Sequence, residues 1–419
     1  MSGLKYSAQS SIKRTTIGIV LPVMLMACSV VSAGPREQAK RIHDRLAGVP
    51  PTNATLQQME TLISGGDSLG AALLAVEHPD FYNVTLKNWV TPWTNEEKTV
   101  FAPLNDYTAT VIGMVRDDVD FREVLSGDIL YVGPGSLPAY SNSNNDHYEA
   151  MESQGLNLKD VLVPTTQSSL TGLPHDATAG VITTRAAARA FFIDGTNRAM
   201  FSFTMLNHLC RDLETIKDPT RPSDRVRQDA ARSPGGDSRV WFNNCLGCHA
   251  GMEPLAEAYA YYDFDYPTVP DGADETAYFD MGQMVYIGPG SSAYVPGVVQ
   301  PKYLINSNNF KDGYATFDDS WINYWREGAN SVLGWNNSLP ASGGGNGTGD
   351  GAKTMGIELA NSQAFAECQV TKAFKAVCLR DPENSADRAQ IDTMTTNFKS
   401  SGYHMKHVFA EAAVYCAGN

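Results

Sequence analysis

The sequence predicts a mainly α-helical protein with little β structure. Apolar residues recur every three to four positions near the N-terminus, in the middle and in the C-terminal part of the chain. This is the period of a helix that buries one face. Proline and glycine separate these stretches, as is typical of helix ends. We therefore expect N- and C-terminal helical regions that flank a central multi-helix domain.

The first helix signals lie in residues 34–165, the predicted N-terminal helical region. Pro50 and Pro51 end the first helix, because proline disrupts a helix interior, and Gly65 ends the second. The predicted helices cover residues 37–47, 55–63 and 69–77, and short apolar faces follow at 104–115 and 121–125.

The rest of the chain shows the same period in two places. Residues 185–213 predict one or two helices, and residues 353–419 predict a C-terminal unit of three helices. Residues 217–236 are charged and rich in proline and glycine, which predicts a surface connection. Residues 281–352 are predicted to form an irregular insertion or linker.

Cys245-Leu246-Gly247-Cys248-His249 is the most specific pattern in the sequence. C-x-x-C-H is the pattern that attaches a c-type haem. Cys245 and Cys248 would form thioethers with the haem, and the imidazole of His249 would be the proximal ligand of its iron. Residues 166–280 are therefore predicted to be a cytochrome c-like haem-binding domain with one covalent haem c.

A zinc site and a redox-active dithiol use similar cysteine pairs. Zinc would need two more ligands at similar spacing, but the sequence has no second C-x-x-C and no H-x-x-x-H near a cysteine. A thioredoxin-like site would need a strand before the motif, and residues 241–244 are too short and too polar at their end to form one. Both alternatives are therefore weaker than haem.

The N-terminus predicts export, which covalent haem attachment requires. Three basic residues accompany a short apolar stretch at 17–27, which is shorter than the about 20 residues of a membrane span and typical of a secretory signal. Cleavage after Ala33 would make residues 1–33 the signal peptide. Lipidation of Cys28, which ends a lipobox-like stretch, would leave residues 1–27 as the signal.

These alternatives predict a periplasmic protein or an outer-membrane or cell-surface lipoprotein of a bacterium, with no transmembrane helix in the mature chain. The formal net charge of −14 argues against nucleic-acid binding. An acidic surface fits a basic redox partner protein, and it also serves solubility alone.

Four of the seven cysteines lie outside the signal segment and the motif. In an oxidising compartment, four cysteines suggest two disulfides with three possible connectivities. Buried free thiols are the alternative. The four residues are Cys210, Cys368, Cys378 and Cys416.

The motif continues with Met252-Glu253-Pro254 and, further on, Phe264-Asp265. Together with the haem motif, this resembles the C-x-x-C-H-x-x-M/I-D-P-x-G-x-A…F-D signature of the planctomycete-type cytochromes, with Glu253 in place of their usual Asp. The stretches 360–380 and 398–403 resemble the last domain of that family, and residues 118–131 resemble an N-terminal domain.

The resemblance implies a mostly helical periplasmic or surface cytochrome with one covalent haem. Cys210 and Cys368 match positions where the family often carries cysteine. The resemblance therefore implies a disulfide between Cys210 and Cys368, which leaves Cys378 and Cys416 as the second pair.

The sixth ligand of the iron decides the chemistry of such a protein. A methionine there raises the potential and suits electron transfer, whereas an open position permits peroxide chemistry. Met252 follows His249 by only three residues, so it lies on the same side of the haem and is predicted to pack instead. The candidate distal ligands are Met281, Met284 and Met355, with His208, His404 and His407 as weaker candidates.

Together these patterns predict an exported mono-haem c-type cytochrome that carries single electrons, with no catalytic residues assigned. One alternative is a haem subunit or catalytic domain of a periplasmic oxidoreductase or peroxidase-like enzyme. Another is a surface lipoprotein that uses haem structurally. The sequence has no G-x-S-x-G, H-E-x-x-H or phosphate loop to support a hydrolase.

Overall fold

The computed structural model describes residues 33–193, 197–226, 237–273, 281–303, 315–340 and 345–418. The predicted signal peptide and Cys28 lie outside these residues. From Ala33 onward the chain forms one compact unit. The four segments predicted after residue 33 all lie within it, and their boundaries stay predictions.

The protein is mainly helical, as predicted. Its helices are α1 (Pro35–Ala47), α2 (Asn53–Ser64), α3 (Ser68–Val76), α4 (Lys87–Val90), α5 (Asp106–Arg116), α6 (Asp146–Ser153), α7 (Leu158–Val161), α8 (Gln167–Thr171), α9 (Arg185–Phe191), α10 (Arg198–Leu209), α11 (Ser238–Val240), α12 (Leu246–Ala256), α13 (Gly351–Ala360), α14 (Gln363–Cys378), α15 (Ser385–Ser400) and α16 (Met405–Cys416). Short 3-10 and π-helical turns join several of them.

The strands are short and pair with their nearest neighbours in the sequence. They are β1 (Leu130–Val132), β2 (Val163–Thr165), β3 (Tyr262–Asp265), β4 (Gln283–Tyr286), β5 (Ser320–Ile322) and β6 (Thr348–Asp350). They form three separate two-stranded antiparallel sheets in the order β1–β2, β3–β4 and β5–β6. In the second sheet Tyr262 lies opposite Tyr286, and in the third Trp321 lies opposite Gly349.

The N-terminal helices begin where short polar side chains cap them. Thr52, Asp67 and Asn105 each accept a hydrogen bond from a backbone N–H in the first turn of α2, α3 and α5. Such a cap stabilises a helix by about 1 kcal/mol, because it satisfies one N–H that has no partner within the helix. At the other end of α1, Gly48 adopts a left-handed conformation with φ of 73°, which glycine adopts without steric cost.

The C-terminal part contains four helices, where the sequence predicts three. The difference arises at Asn361-Ser362, inside the long apolar period of residues 357–379. Ser362 leaves the helical conformation, and its hydroxyl accepts a hydrogen bond from the N–H of Phe365, so that α13 ends and α14 begins. The periodicity continues across this break because both helices bury one face.

The main core lies where α14 and α16 pack against the N-terminal helices. Phe409 of α16 meets the rings of Phe81 and Trp89 edge to face, with ring centroids 5.3 and 5.0 Å apart. Such aromatic pairs add about 0.5–1.5 kcal/mol each beyond the area that they bury. No helix among the described residues is long and apolar enough to cross a membrane.

Both predicted disulfides are present. Cys210 and Cys368 join the end of α10 to α14, with Cα atoms 5.3 Å apart. Cys378 and Cys416 join the last residues of α14 and α16, with Cα atoms 5.5 Å apart. Both separations suit an unstrained bridge.

Candidate functional site

The Cys245–His249 motif lies at the start of α12. Residues Trp241–Cys245 form a π-helical turn, and α12 begins at Leu246. Cys245 and Cys248 are half-buried and belong to neither disulfide. Since residues four apart share a helix face, Cys245 and His249 point to the same side of the helix as Glu253.

Glu253 holds the imidazole of His249. The Nδ1 atom of His249 lies 2.5 Å from Oε1 of Glu253, whose side chain is only 4% exposed. An ionised carboxylate only accepts hydrogen bonds, so Nδ1 carries the proton. Nδ1 is thereby occupied, and Nε2 makes no hydrogen bond to any described residue.

Arg198 anchors this carboxylate from a second helix. Nε and Nη2 of Arg198, in the first turn of α10, lie 3.1 and 2.9 Å from Oε1 of Glu253. A carboxylate as buried as that of Glu253 needs such a partner, because an unpaired buried charge is strongly destabilising. The arrangement is thus a His249–Glu253–Arg198 chain in which both donors meet one carboxylate oxygen.

The face of α12 opposite His249 carries two glycines and packs closely against neighbouring residues. Gly247 and Gly251 lie on it, one turn apart. A Cβ atom on Gly251 would overlap the buried indole ring of Trp325, and one on Gly247 would lie 3.1 Å from Cβ of Lys217. Trp325 comes from residues 281–352, so part of the predicted insertion holds the back of the motif helix in place.

The described part of the segment before the motif is largely exposed, as expected of a surface connection, but two of its residues are buried. Among its described residues, 217–226, Asp218 is 2% exposed and Val226 is fully buried. The N–H of Asp218 donates to the carbonyl of Gly247 at 2.9 Å, and Arg225 pairs with the buried Glu257 at 2.5 Å. Ion pairs of Asp218 and Arg225 therefore tie this connection to the residues around the motif helix.

A small apolar cluster covers the motif on its other flank. It consists of Val226, Trp241, Leu246 and Ala250, with Cys245 packed against it. The ring of Trp241 lies 5.6 Å from the imidazole of His249 at an angle of 54°. This cluster gives the first turn of α12 an apolar surround, and His249 keeps a side chain that is 23% exposed.

The surroundings of the cysteines differ from those of a reactive dithiol. Burial, and to a lesser extent the nearby Glu214, raises the pKa of the Cys248 thiol, whereas redox dithiols depend on a lowered pKa. Its Sγ contacts the carbonyl of Leu213 at 3.5 Å. The described residues also contain no group of three or more His, Cys, Asp or Glu side chains placed to hold a metal ion, which a structural zinc site would need.

The candidate distal ligands lie in three different surroundings. Met281 is 45% exposed and Met355 is fully buried in the core. Met284 lies in β4 opposite Phe264. The described contacts of the His249 imidazole are with Glu253 and Trp241, so the identity of a distal ligand stays a prediction. Met252 is 5% exposed within the main core, which confirms that it packs.

The histidine candidates also make contacts of their own. His208 is buried, and its Nε2 lies 2.8 Å from the hydroxyl of Tyr107. Burial lowers the pKa of His208 well below its usual range. The rings of His404 and His407 lie 6.4 Å apart at the start of α16.

Sequence reasoning missed the roles of Glu253, Arg198 and Trp325. Glu253 stood out only as a departure from the family signature, although its spacing of four residues from His249 on a helix predicts contact. Arg198 and Trp325 carry no comparable signal, because they are distant in the sequence and only the fold brings them to α12.

Comparison with known proteins identifies no relative of this chain. The chain matches no protein-family model, no curated protein and no solved structure.

Proposed function

We propose that this chain is an exported mono-haem c-type cytochrome that carries single electrons. The observation that carries the proposal is the shared helix face of Cys245, His249 and Glu253, on which a buried carboxylate orients the imidazole. The resemblance of the motif to the planctomycete-type cytochromes points in the same direction.

The residues present fit a covalent haem c. Cys245 and Cys248 are outside the disulfides and partly accessible, as thioether formation demands. His249 has Nδ1 bound to Glu253, so Nε2 is the nitrogen that would ligate the iron. When bound, the haem supplies one-electron exchange between ferric and ferrous iron.

The protein's own part is to position and tune the proximal ligand. Glu253 fixes the tautomer and ring orientation of His249, and this contact makes the imidazole a stronger electron donor to a bound metal. Arg198 pairs with Glu253 and holds it in place. Trp241 and the cluster around Leu246 limit the access of water to this side of the site, which is a further influence on a redox potential.

The disulfides support export as part of the proposal. Disulfides persist in oxidising compartments and are rare in the bacterial cytoplasm, and the cytochrome c pattern also demands maturation outside it. We therefore propose a periplasmic or surface location, with Gly34 or a lipidated Cys28 as the first mature residue, and a basic protein as the redox partner.

A second candidate function is peroxide chemistry, and the His249–Glu253 contact favours it. A proximal ligand that donates more electron density favours cleavage of the O–O bond, as a thiolate ligand does. A carboxylate-bound imidazole donates more electron density and would move a haem in that direction. An open sixth position would permit this activity, and a methionine from position 281, 284 or 355 would block it.

The test is to express the full chain in a bacterium that matures c-type cytochromes and to measure the mass and absorption spectrum of the exported protein. We expect the mass of one covalent haem per chain, and its loss in a Cys245→Ser/Cys248→Ser variant. The Cys378→Ser/Cys416→Ser variant is the matched control and keeps the haem. A wild-type protein exported without haem, beside a host cytochrome that is matured normally, contradicts the proposal.

A spectrum and a peroxide assay of the same sample distinguish electron transfer from peroxide chemistry. The weak far-red band of methionine-ligated ferric haem, together with negligible turnover of hydrogen peroxide, supports electron transfer. A high-spin ferric spectrum with peroxide turnover supports the second candidate instead.

A further inference from the structure

A cavity of about 830 Å³ lies between α1, residues 84–89 and the second half of α14. This volume is within the range of about 300–1,000 Å³ that is usual for small-molecule sites. Apolar groups of Val84, Trp89, Ala376 and Leu379 line much of it. None of its lining residues belongs to the motif helix α12, so the cavity is separate from the proposed haem site.

The charged residues around this cavity are mostly basic, although the chain as a whole carries a net charge of −14. Among the described residues that line it, Arg41, Arg45, Lys372 and Lys375 are basic and Asp44 is the single acidic one. Asp44 pairs with Lys40 and Lys375 pairs with Asp381. A site with this balance attracts anions, whereas most of the protein surface repels them.

Three of the basic side chains have no carboxylate partner among the described residues. Nη1 of Arg41 donates to the carbonyl of Ala417 at 3.0 Å, and Nη1 of Arg45 donates to the carbonyl of Val377 at 2.9 Å. Each contact uses one of the five N–H donors of a guanidinium. Nζ of Lys372 donates to the carbonyl of Asn207 at 2.7 Å.

Burial disfavours the charged forms of two of these basic side chains. Burial, followed by the nearby guanidiniums of Arg41 and Arg380, lowers the pKa of Arg45. Burial likewise lowers the pKa of Lys372 well below its usual range, and its Nζ lies 3.0 Å from the centroid of the Trp93 ring. An anion placed between these groups would relieve the repulsion between Arg41 and Arg45.

We propose that this cavity binds a small organic anion with an apolar body, of the class of medium-chain carboxylates. Arg41 and Arg45 hold the carboxylate, since guanidinium groups bind carboxylates through paired hydrogen bonds. Val84, Trp89 and Leu379 pack against the apolar part. Leu379 is 77% exposed, and a ligand that covers its side chain gains the free energy of apolar burial.

The experiment is isothermal titration calorimetry of decanoate, below its micelle concentration, into the purified full-length protein. We expect saturable binding of one decanoate per chain. Decanol has the same chain length and no charge, and we expect it to bind at least about tenfold more weakly, a difference of about 1.4 kcal/mol. No saturable binding of decanoate, or equal binding of decanol, overturns the proposal.

Variants locate the site. Arg45→Gln and Arg41→Gln each weaken decanoate binding by about tenfold or more. Arg36→Gln is the matched control, because Arg36 lies on the same helix, pairs with Glu60 and does not line the cavity. Near-UV circular dichroism confirms that each variant is folded. Equal decanoate affinity in the wild type and in both folded cavity variants contradicts the assignment of the site. The haem-free Cys245→Ser/Cys248→Ser protein is expected to bind decanoate with the affinity of the wild type, because the cavity is separate from the proposed haem site.

Discussion

The imidazole Nδ1 of His249 lies 2.5 Å from Oε1 of Glu253, one helical turn further along α12. The contact joins the residue proposed to ligate iron to a carboxylate that is almost fully buried. A hydrogen bond from a metal-binding histidine to a carboxylate makes the imidazole a stronger donor, which favours the more positively charged metal. In the proposed cytochrome, the reduction potential of the haem is therefore the property that Glu253 would control.

Glu253→Gln is expected to raise the midpoint potential of the haem by tens of millivolts, where about 59 mV corresponds to a tenfold change in a one-electron equilibrium. The amide keeps the shape and a hydrogen bond but loses the negative charge that stabilises ferric iron. Spectroelectrochemical titration measures the shift. Covalent haem is expected to be retained, since both thiols and His249 are unchanged.

Glu257→Gln is the matched control for this measurement. Glu257 is 2% exposed and pairs with Arg225, so it resembles Glu253 in burial and pairing but does not contact His249. We expect its potential to stay close to that of the wild type. If both variants bind haem and shift the potential equally, the effect is one of general charge and not of the His249 contact.

Gly251→Ala is expected to destabilise the protein by about 1–3 kcal/mol, the usual cost of overpacking a core. The added Cβ overlaps the ring of Trp325, which is fully buried and cannot swing into solvent. Urea unfolding measures the loss. Gly135→Ala is the control, because a Cβ there meets no atom within 4 Å, and a change within about 0.5 kcal/mol is expected. Equal stability of the two variants would show that α12 can shift away from Trp325 at little cost.

The two disulfides are expected to differ in their contribution to stability. They close loops with sequence separations of 158 and 38 residues. The loop-entropy relation gives about 5 kcal/mol for Cys210–Cys368 and about 4 kcal/mol for Cys378–Cys416, because a longer loop restricts the unfolded chain more. Urea unfolding of the two double Cys→Ser variants under oxidising conditions measures both losses. A larger loss for the Cys378→Ser/Cys416→Ser variant would contradict this order.

Local periodicity predicted the helices well because it reports which face of a helix is buried. The prediction of residues 37–47 agrees closely with α1, and that of residues 185–213 as one or two helices agrees with α9 and α10. It could not predict the contact between Gly251 and Trp325, which joins two segments with no shared pattern. It also missed the break at Ser362, because a capping serine inside a long apolar period leaves the period unchanged.

The residues of the candidate site also differ in whether the local sequence pattern points to them. Cys245, Cys248 and His249 could be proposed from the sequence because they form a contiguous motif with the spacing typical of a c-type haem site. Arg198 lies more than 40 positions earlier, and only the packing of α10 against α12 brings it to Glu253. A charged residue in a helix normally predicts a solvent-exposed position, so nothing in the sequence marked Arg198 as the partner of a buried carboxylate.

The carboxyl group of Asp319, next to β5, is partly buried. Burial, with the nearby carboxylates of Asp350 and Asp318, raises its pKa from 3.8 to about 7. Between these two values the folded protein binds a proton that the unfolded chain releases, so this group makes the protein less stable as the pH rises from about 4 to about 7.

The substitution Asp319→Asn removes that dependence of stability on pH. Relative to the wild type, the variant is expected to gain stability across this window, with a slope of at most about 1.4 kcal/mol per pH unit. Urea unfolding at several pH values measures the difference, and Asp392→Asn, at an exposed position of α15, is the control. A difference between Asp319→Asn and the wild type that is constant from pH 4 to 7 would mean that the Asp319 carboxyl titrates alike in the folded and unfolded chains.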